Sequence, residues 1–207
     1  HISDIYRNHG INKIHVVRGY KKESINFPEL NYIDNDDHET TSELSSFHKA
    51  IDQISGDIVC SFGDVLFKPY LLQLLDECED DLVIVVDTQW KDSVNRDRAA
   101  DYVNCSQPHS RANYGDSIFL ESAGENLGED SIHGEWMGII KISSAIFPTV
   151  RKEVESLSKL ESFDSMKMHH LLEHLCRLKQ PIRVVYTTGN WLDVDTLEDV
   201  IRANNFL

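Results

Sequence analysis

The run Leu82-Val-Ile-Val-Val86, closed by Asp87, constrains the fold more than any other stretch of this chain. Its apolar residues are almost all β-branched and leave no polar face, which is the pattern of a strand covered by protein on both sides. Similar runs occur at 14–17, at 57–62, at Trp136–Ile142 and at Arg183–Tyr186, and a short strand is expected near Leu30–Ile33. Segments with helical spacing fall between them. Leu44, Phe47, Ala50, Ile51 and Ile54 mark a helix over 43–54, and Pro69 opens another over 68–78. Further helices are expected over 143–157, 164–178 and 196–204, and residues 2–9 read as the last turns of a helix capped by Gly10.

This alternation predicts an α/β fold: a mostly parallel central sheet with helices on both faces, Rossmann-like in arrangement. The irregular middle, 88–135, predicts a small antiparallel insertion. Its strands are expected at Asp101–Cys105 and Ser117–Glu121, with loops over 106–116 and 122–135. The 207 residues carry no repeat and no linker-like tract, so a single domain over 1–207 is expected.

The formal net charge of −15 argues against nucleic acid and against an anionic membrane surface. It does not argue against a nucleotide, because Mg²⁺ can bridge an acidic site to a polyphosphate. Cysteines 60, 78, 105 and 176 show no CxxC spacing and read as free thiols in a reducing, cytoplasmic setting.

In open α/β sheets, ligands bind at the carboxyl ends of strands. Asp64 follows the 57–62 strand directly, Asp87 closes the 82–86 strand, and Asp193 and Asp195 follow the last strand after a polar turn. In an extended segment the latter two carboxylates point the same way and, with Asp64, can form a metal-binding cluster. The plainer reading is that Asp193 or Asp195 caps the last helix, since Asp195-Thr-Leu-Glu198 has capping-box spacing. Gly63 before Asp64 permits close backbone approach or is simply part of a turn. His169, His170 and His174 lie on a helix whose Met168, Leu171, Leu172, Leu175 and Leu178 are expected to form the buried stripe; His170 and His174 share a face that could bind a metal, but the plainer reading puts the histidines mostly on the solvent side. Arg96, Arg98 and Arg111 are solvated loop residues or grips for an anionic acceptor. Trp136 is a core residue or an aromatic wall for a cationic group, with Glu135 as counter-charge.

The order of these pieces resembles the nucleotidyltransferase superfamily. Ser61-Phe-Gly63-Asp64-Val-Leu-Phe67 resembles the Gly-Asp metal motif of the sugar-phosphate and choline-phosphate enzymes. Val16-Val-Arg-Gly19-Tyr20 and the polar stretch Asn35–Ser46 resemble two of their other segments, and Trp191-Leu-Asp193-Val-Asp195 resembles their second metal motif. Ile84-Val-Val-Asp87-Thr-Gln-Trp90 and His133-Gly-Glu135-Trp136-Met-Gly138 resemble the cytidylyltransferase domains associated with phosphoenolpyruvate mutase.

The resemblance implies transfer of CMP from CTP to a phosphonate such as 2-aminoethylphosphonate, with Mg²⁺ on Asp64, Asp193 and Asp195. It implies acceptor contacts from Asp87, Glu135, Trp136 and Arg98, nucleotide contacts from Gly63 and Ser45, and an oligomer or a fused mutase as possible company. A sugar-phosphate or phosphocholine nucleotidyltransferase is the alternative within the superfamily. The family opens with a strand and a Gly-rich loop whose Arg and Lys cradle the triphosphate. This sequence opens in the helix that follows, so the domain is expected to be N-terminally incomplete, and no catalytic residue is assigned. A non-catalytic binding or assembly domain is the alternative from another class.

Overall fold

A computed structural model describes residues 2–92, 99–113 and 115–206. The chain runs α1 (Ile2–Asn8), β1 (His15–Arg18), β2 (Asn31–Asp34), α2 (Glu43–Ala50), β3 (Ile58–Ser61), β4 (Val65–Phe67), α3 (Tyr70–Asp76) and β5 (Leu82–Asp87). It continues through β6 (Tyr102–Cys105), β7 (Leu120–Gly124), β8 (Gly134–Ile142), α4 (Phe147–Leu157), α5 (Met168–Arg177), β9 (Arg183–Thr187), β10 (Trp191–Asp193) and α6 (Leu197–Phe206).

The main sheet is organised around β8, the longest strand. One edge of β8 pairs antiparallel with β5, and β3 and β6 also pair antiparallel with it. β7 extends the sheet beyond β6, and β9 lies parallel to β5 on the far side. The α/β expectation with helices on both faces holds, but the sheet is mostly antiparallel rather than mostly parallel. The reason is physical: burial on both faces makes a strand uniformly apolar, and burial does not depend on strand direction. Two short ladders complete the fold, β1 with β2 in parallel and β4 with β10 in antiparallel.

The alternation along β5 and β8 divides the core into two layers. Leu82, Ile84, Val86, Trp136, Ile140 and Ile142 face one side, where Leu44 and Phe47 of α2, Val150 and Val154 of α4, and Leu171, Leu172 and Leu175 of α5 cover them. Val83, Val85, Met137 and Ile139 face the other, against Ile5 and Tyr6 of α1, Val65 and Phe67 of β4, and Leu71, Leu72 and Leu75 of α3. Each fully buried aliphatic side chain contributes roughly 1.5–3 kcal/mol, so these layers fix the strand ends on which the site is built. Gly138 bends β8 at φ 71°, and Phe62 lies so close over it that a Cβ there would come within 2.2 Å of the Phe62 ring.

Several boundaries differ from the sequence reading. β7 reaches Gly124 and β8 begins at Gly134, so the expected 122–135 loop is shorter at both ends. β4 and β10 are short strands, the first in a stretch with no expected element between the Gly63-Asp64 turn and the 68–78 helix, the second at the end of the expected polar turn before the 196–204 helix. Helix 43–54 ends at Ala50, helix 143–157 begins at Phe147, and the 164–178 segment is a 3-10 turn at Phe163–Ser165 followed by α5.

Candidate active site

The β4–β10 ladder is what brings the acidic residues together. Asp193 pairs with Val65, and the Val194 N–H donates to the Asp64 carbonyl at 3.0 Å. Asp64, Asp193 and Asp195 thereby place carboxylate oxygens within 4.8 Å of one another, with Asp64 and Asp195 exposed and Asp193 half-buried. Three carboxylates this close repel unless a cation sits among them, and hard oxygen donors of this kind suit Mg²⁺.

Asp195 is left to this cluster because the helix cap lies one residue later than the sequence spacing suggests. The Thr196 hydroxyl accepts the Asp199 N–H at 3.3 Å, and Asp199 Oδ2 accepts the Thr196 N–H at 3.0 Å. This reciprocal pair is a capping box on α6, with buried Asp199 as its acidic member.

Asp64, Asp193 and Asp195 open onto a pocket also lined by Glu43, Phe62, Ala99, Asp101, Glu135, Trp136, Lys167 and Trp191. Glu135 and Trp136 are 3% exposed each. The Trp136 indole N–H donates to the Ile139 carbonyl at 2.9 Å, and its ring meets Phe62 edge to face at 5.5 Å. It therefore serves the core and the pocket wall together. Glu135 stands at the amino end of β8, opposite Asp87 in β5. The antiparallel direction of β8 is what carries it to the ligand edge.

Asp87 is placed apart from the pocket lining. Its Oδ1 accepts the N–H groups of Gln89 and Gly189, each at 2.9 Å, and its Oδ2 accepts the Trp191 indole N–H at 2.8 Å. It clasps the turn that leads into β10. Gly63 lines a second groove with Asp64, Leu66, Val194 and Val200, and open space surrounds the position of a Cβ there. Ser45 is 4% exposed on α2, with its hydroxyl unpartnered, and lines neither cavity. Arg111 is exposed in a 3-10 turn at Arg111–Asn113. Arg96 and Arg98 lie outside the described residues.

Four further residues belong to this region, and three of them, Glu43, Lys167 and Asp101, carry no sequence signature. Glu43 opens α2 and lines the pocket, where it accepts the Met168 N–H at 3.0 Å, and burial raises its pKa. Lys167 pairs with Glu125, and that hydrogen bond first of all raises its own pKa. Asp101 Oδ1 lies 2.7 Å from His169 Nδ1. His169 is 5% exposed, against the expectation that the helix histidines face solvent. Its spacing to Leu172 and Cys176, three and seven residues on, was the available signal, because it places His169 at the border of the apolar stripe.

No protein-family model matches the chain. The chain is 24% identical over 207 residues to the CTP:phosphoglutamine cytidylyltransferase of Campylobacter jejuni, covering 92% of this chain and 80% of that one. Its fold is similar to the inositol-1-phosphate CTP transferase from T. maritima, with a TM-score of 0.75 at 15% identity over 99% of this chain and 79% of that one. It is also similar to the CTP:phosphocholine cytidylyltransferase from Streptococcus pneumoniae, with a TM-score of 0.64 at 11% identity over 98% of this chain and 81% of that one. The chain thus resembles the nucleotidyltransferases in its fold over nearly its whole length and in its sequence likeness to a cytidylyltransferase, and its Gly-Asp and Asp-x-Asp motifs are gathered at one pocket.

Proposed function

We propose that the chain transfers the CMP group of CTP to a phosphonate oxygen of a small acceptor such as 2-aminoethylphosphonate, releasing pyrophosphate. The new bond joins the acceptor oxygen to the α-phosphorus, and the bond from that phosphorus to the bridging oxygen of pyrophosphate breaks. The observation that carries this reading is the convergence of Asp64, Asp193 and Asp195 on one pocket with Glu43, Asp101, Glu135 and Trp136. CTP as donor is supported by the cytidylyltransferase likeness. An amine-bearing acceptor is supported by the acidic, aromatic character of the pocket.

Asp64, Asp193 and Asp195 would hold Mg²⁺, which when bound supplies charge neutralisation to the polyphosphate. The protein's own work is to fix these three carboxylates through the β4–β10 ladder and the α6 cap, and to orient the acceptor along the wall of Glu135, Trp136 and Asp101. A fused or associated phosphoenolpyruvate mutase domain and self-association belong to the same reading.

The test is pyrophosphate release from the chain with its natural flanking residues, in the presence of CTP, Mg²⁺ and 2-aminoethylphosphonate. Release that requires all three, and that disappears in Asp64→Ala and Asp195→Ala, is expected. Sugar phosphates and phosphocholine run alongside as acceptors, and turnover of one of these alone moves the assignment to it. No release with any triphosphate or acceptor leaves the non-catalytic binding domain.

A further inference from the structure

Asp101 is held at both ends. Its carbonyl accepts the Trp136 N–H at 2.8 Å, tying its backbone to β8, while its side-chain Oδ1 is tied to His169 on α5 at 2.7 Å. Asp101 lines the pocket and His169 stands behind it, outside the lining. The groups around this pair come from several elements. His170 stacks on His169 at 4.1 Å between ring centres, Lys167 is committed to Glu125, and Glu43 is committed to the Met168 N–H.

Asp101, Glu125 and His169 have the mutual distances of a metal triad. The Lys167 ammonium already sits on Glu125, and His169 Nδ1 already sits on Asp101 Oδ1, so these groups are engaged with one another within the protein. What this arrangement leaves is one carboxylate at the pocket wall, held through its Oδ1 by the imidazole. An imidazole that donates Nδ1–H orients a carboxylate without removing its charge.

We propose that His169 is a positioning residue for the acceptor: it turns Asp101 so that one oxygen is bound to the imidazole and the other receives the ammonium group of an amine-bearing acceptor. The proposal rests on the acceptor reading above and extends it to a residue that does not touch substrate.

Removing the imidazole frees the Asp101 rotamer. His169→Ala is therefore expected to raise KM for 2-aminoethylphosphonate by about 10- to 100-fold, the range for loss of an orienting partner, with kcat and the KM for CTP little changed. His169→Asn places an amide N–H where Nδ1–H was and is expected to recover most of that loss. Propylphosphonate, which carries a methyl group in place of the ammonium, is expected to show no such dependence on residue 169. An equal KM rise for both acceptors would mean a merely structural histidine and overturn the proposal.

Binding is read separately by the ring ¹⁵N signals of His169, so that a failure of turnover is not confused with a failure of this idea. 2-Aminoethylphosphonate is expected to shift the Nδ1 signal saturably in the wild type and not in Asp101→Asn, while propylphosphonate leaves it in place. A shift with both ligands, or with neither, overturns the proposal whether or not the protein turns over.

Discussion

Among the described residues, two triads have the mutual distances of a metal site, and they differ in donor set and in exposure. Asp64, Asp193 and Asp195 are three carboxylates at the open end of a short ladder, two of them exposed. Asp101, Glu125 and His169 are of similar spacing, but the second set closes on itself through Lys167 and a buried imidazole. Proximity alone is therefore a poor guide to a cation site. The distinction lies in donor set and exposure: three carboxylates at an open edge, against a set in which Glu125 already holds an ammonium and Asp101 an imidazole.

The sharpest way to break this comparison is to add the cation and measure thermal stability. At 100-fold over its dissociation constant, Mg²⁺ bound only by the folded state stabilises by about 2.7 kcal/mol. That gain is expected in the wild type and in Asp101→Asn, and is expected to vanish in Asp64→Asn. Retention of the full gain in Asp64→Asn would show that the open triad is not the cation site.

A smaller effect separates the cap from the cluster. Thr196→Ala removes the hydroxyl that accepts the Asp199 N–H, at a cost of about 1 kcal/mol in chemical denaturation. It is also expected to weaken Mg²⁺ binding, because Asp195 adjoins the cap. The closed triad, which does not depend on α6, is expected to keep the ring signal of His169 unchanged in that variant.

The smallest effect is a pH slope from Glu43. Burial raises its carboxyl pKa above the ordinary value of 4.5. The folded state therefore binds more protons than the unfolded state between 4.5 and the raised pKa, and stability from this group falls as pH rises through that window. Thermal melts of wild type and Glu43→Gln are expected to converge toward low pH and separate as pH rises. The wild type loses ground by a fraction of the roughly 1.4 kcal/mol per pH unit that a whole proton would give. Parallel melting curves would show that Glu43 is not desolvated in solution.

The open triad was far more legible in the sequence than the closed one, and the reason is local. Asp64 abuts its strand, and Asp193 and Asp195 are two residues apart in an extended segment, so short-range pattern and strand-end logic find them. Glu135 was found through its motif neighbours, although it lies at a strand's amino end. Asp101 and His169 are 68 residues apart and meet only because α5 packs across the sheet. No periodicity reports such a meeting. The α/β alternation was legible from the apolar runs, but strand direction was not, because a strand such as β8 buried among β3, β5 and β6 looks the same in either orientation. The Thr196–Asp199 cap shows the finer limit. A shift of a single residue in the helix start decides whether Asp195 belongs to the helix or to the cluster.

The clasp at Asp87 narrows what the chain can tolerate there. Its two oxygens accept three N–H groups, and an asparagine would turn one of its own N–H groups toward a donor. The nearest isostere is thus chemically excluded by valence rather than by size. Because Asp87 holds the turn that enters β10, where Asp193 stands, substitution there is expected to be felt as a misaligned cluster.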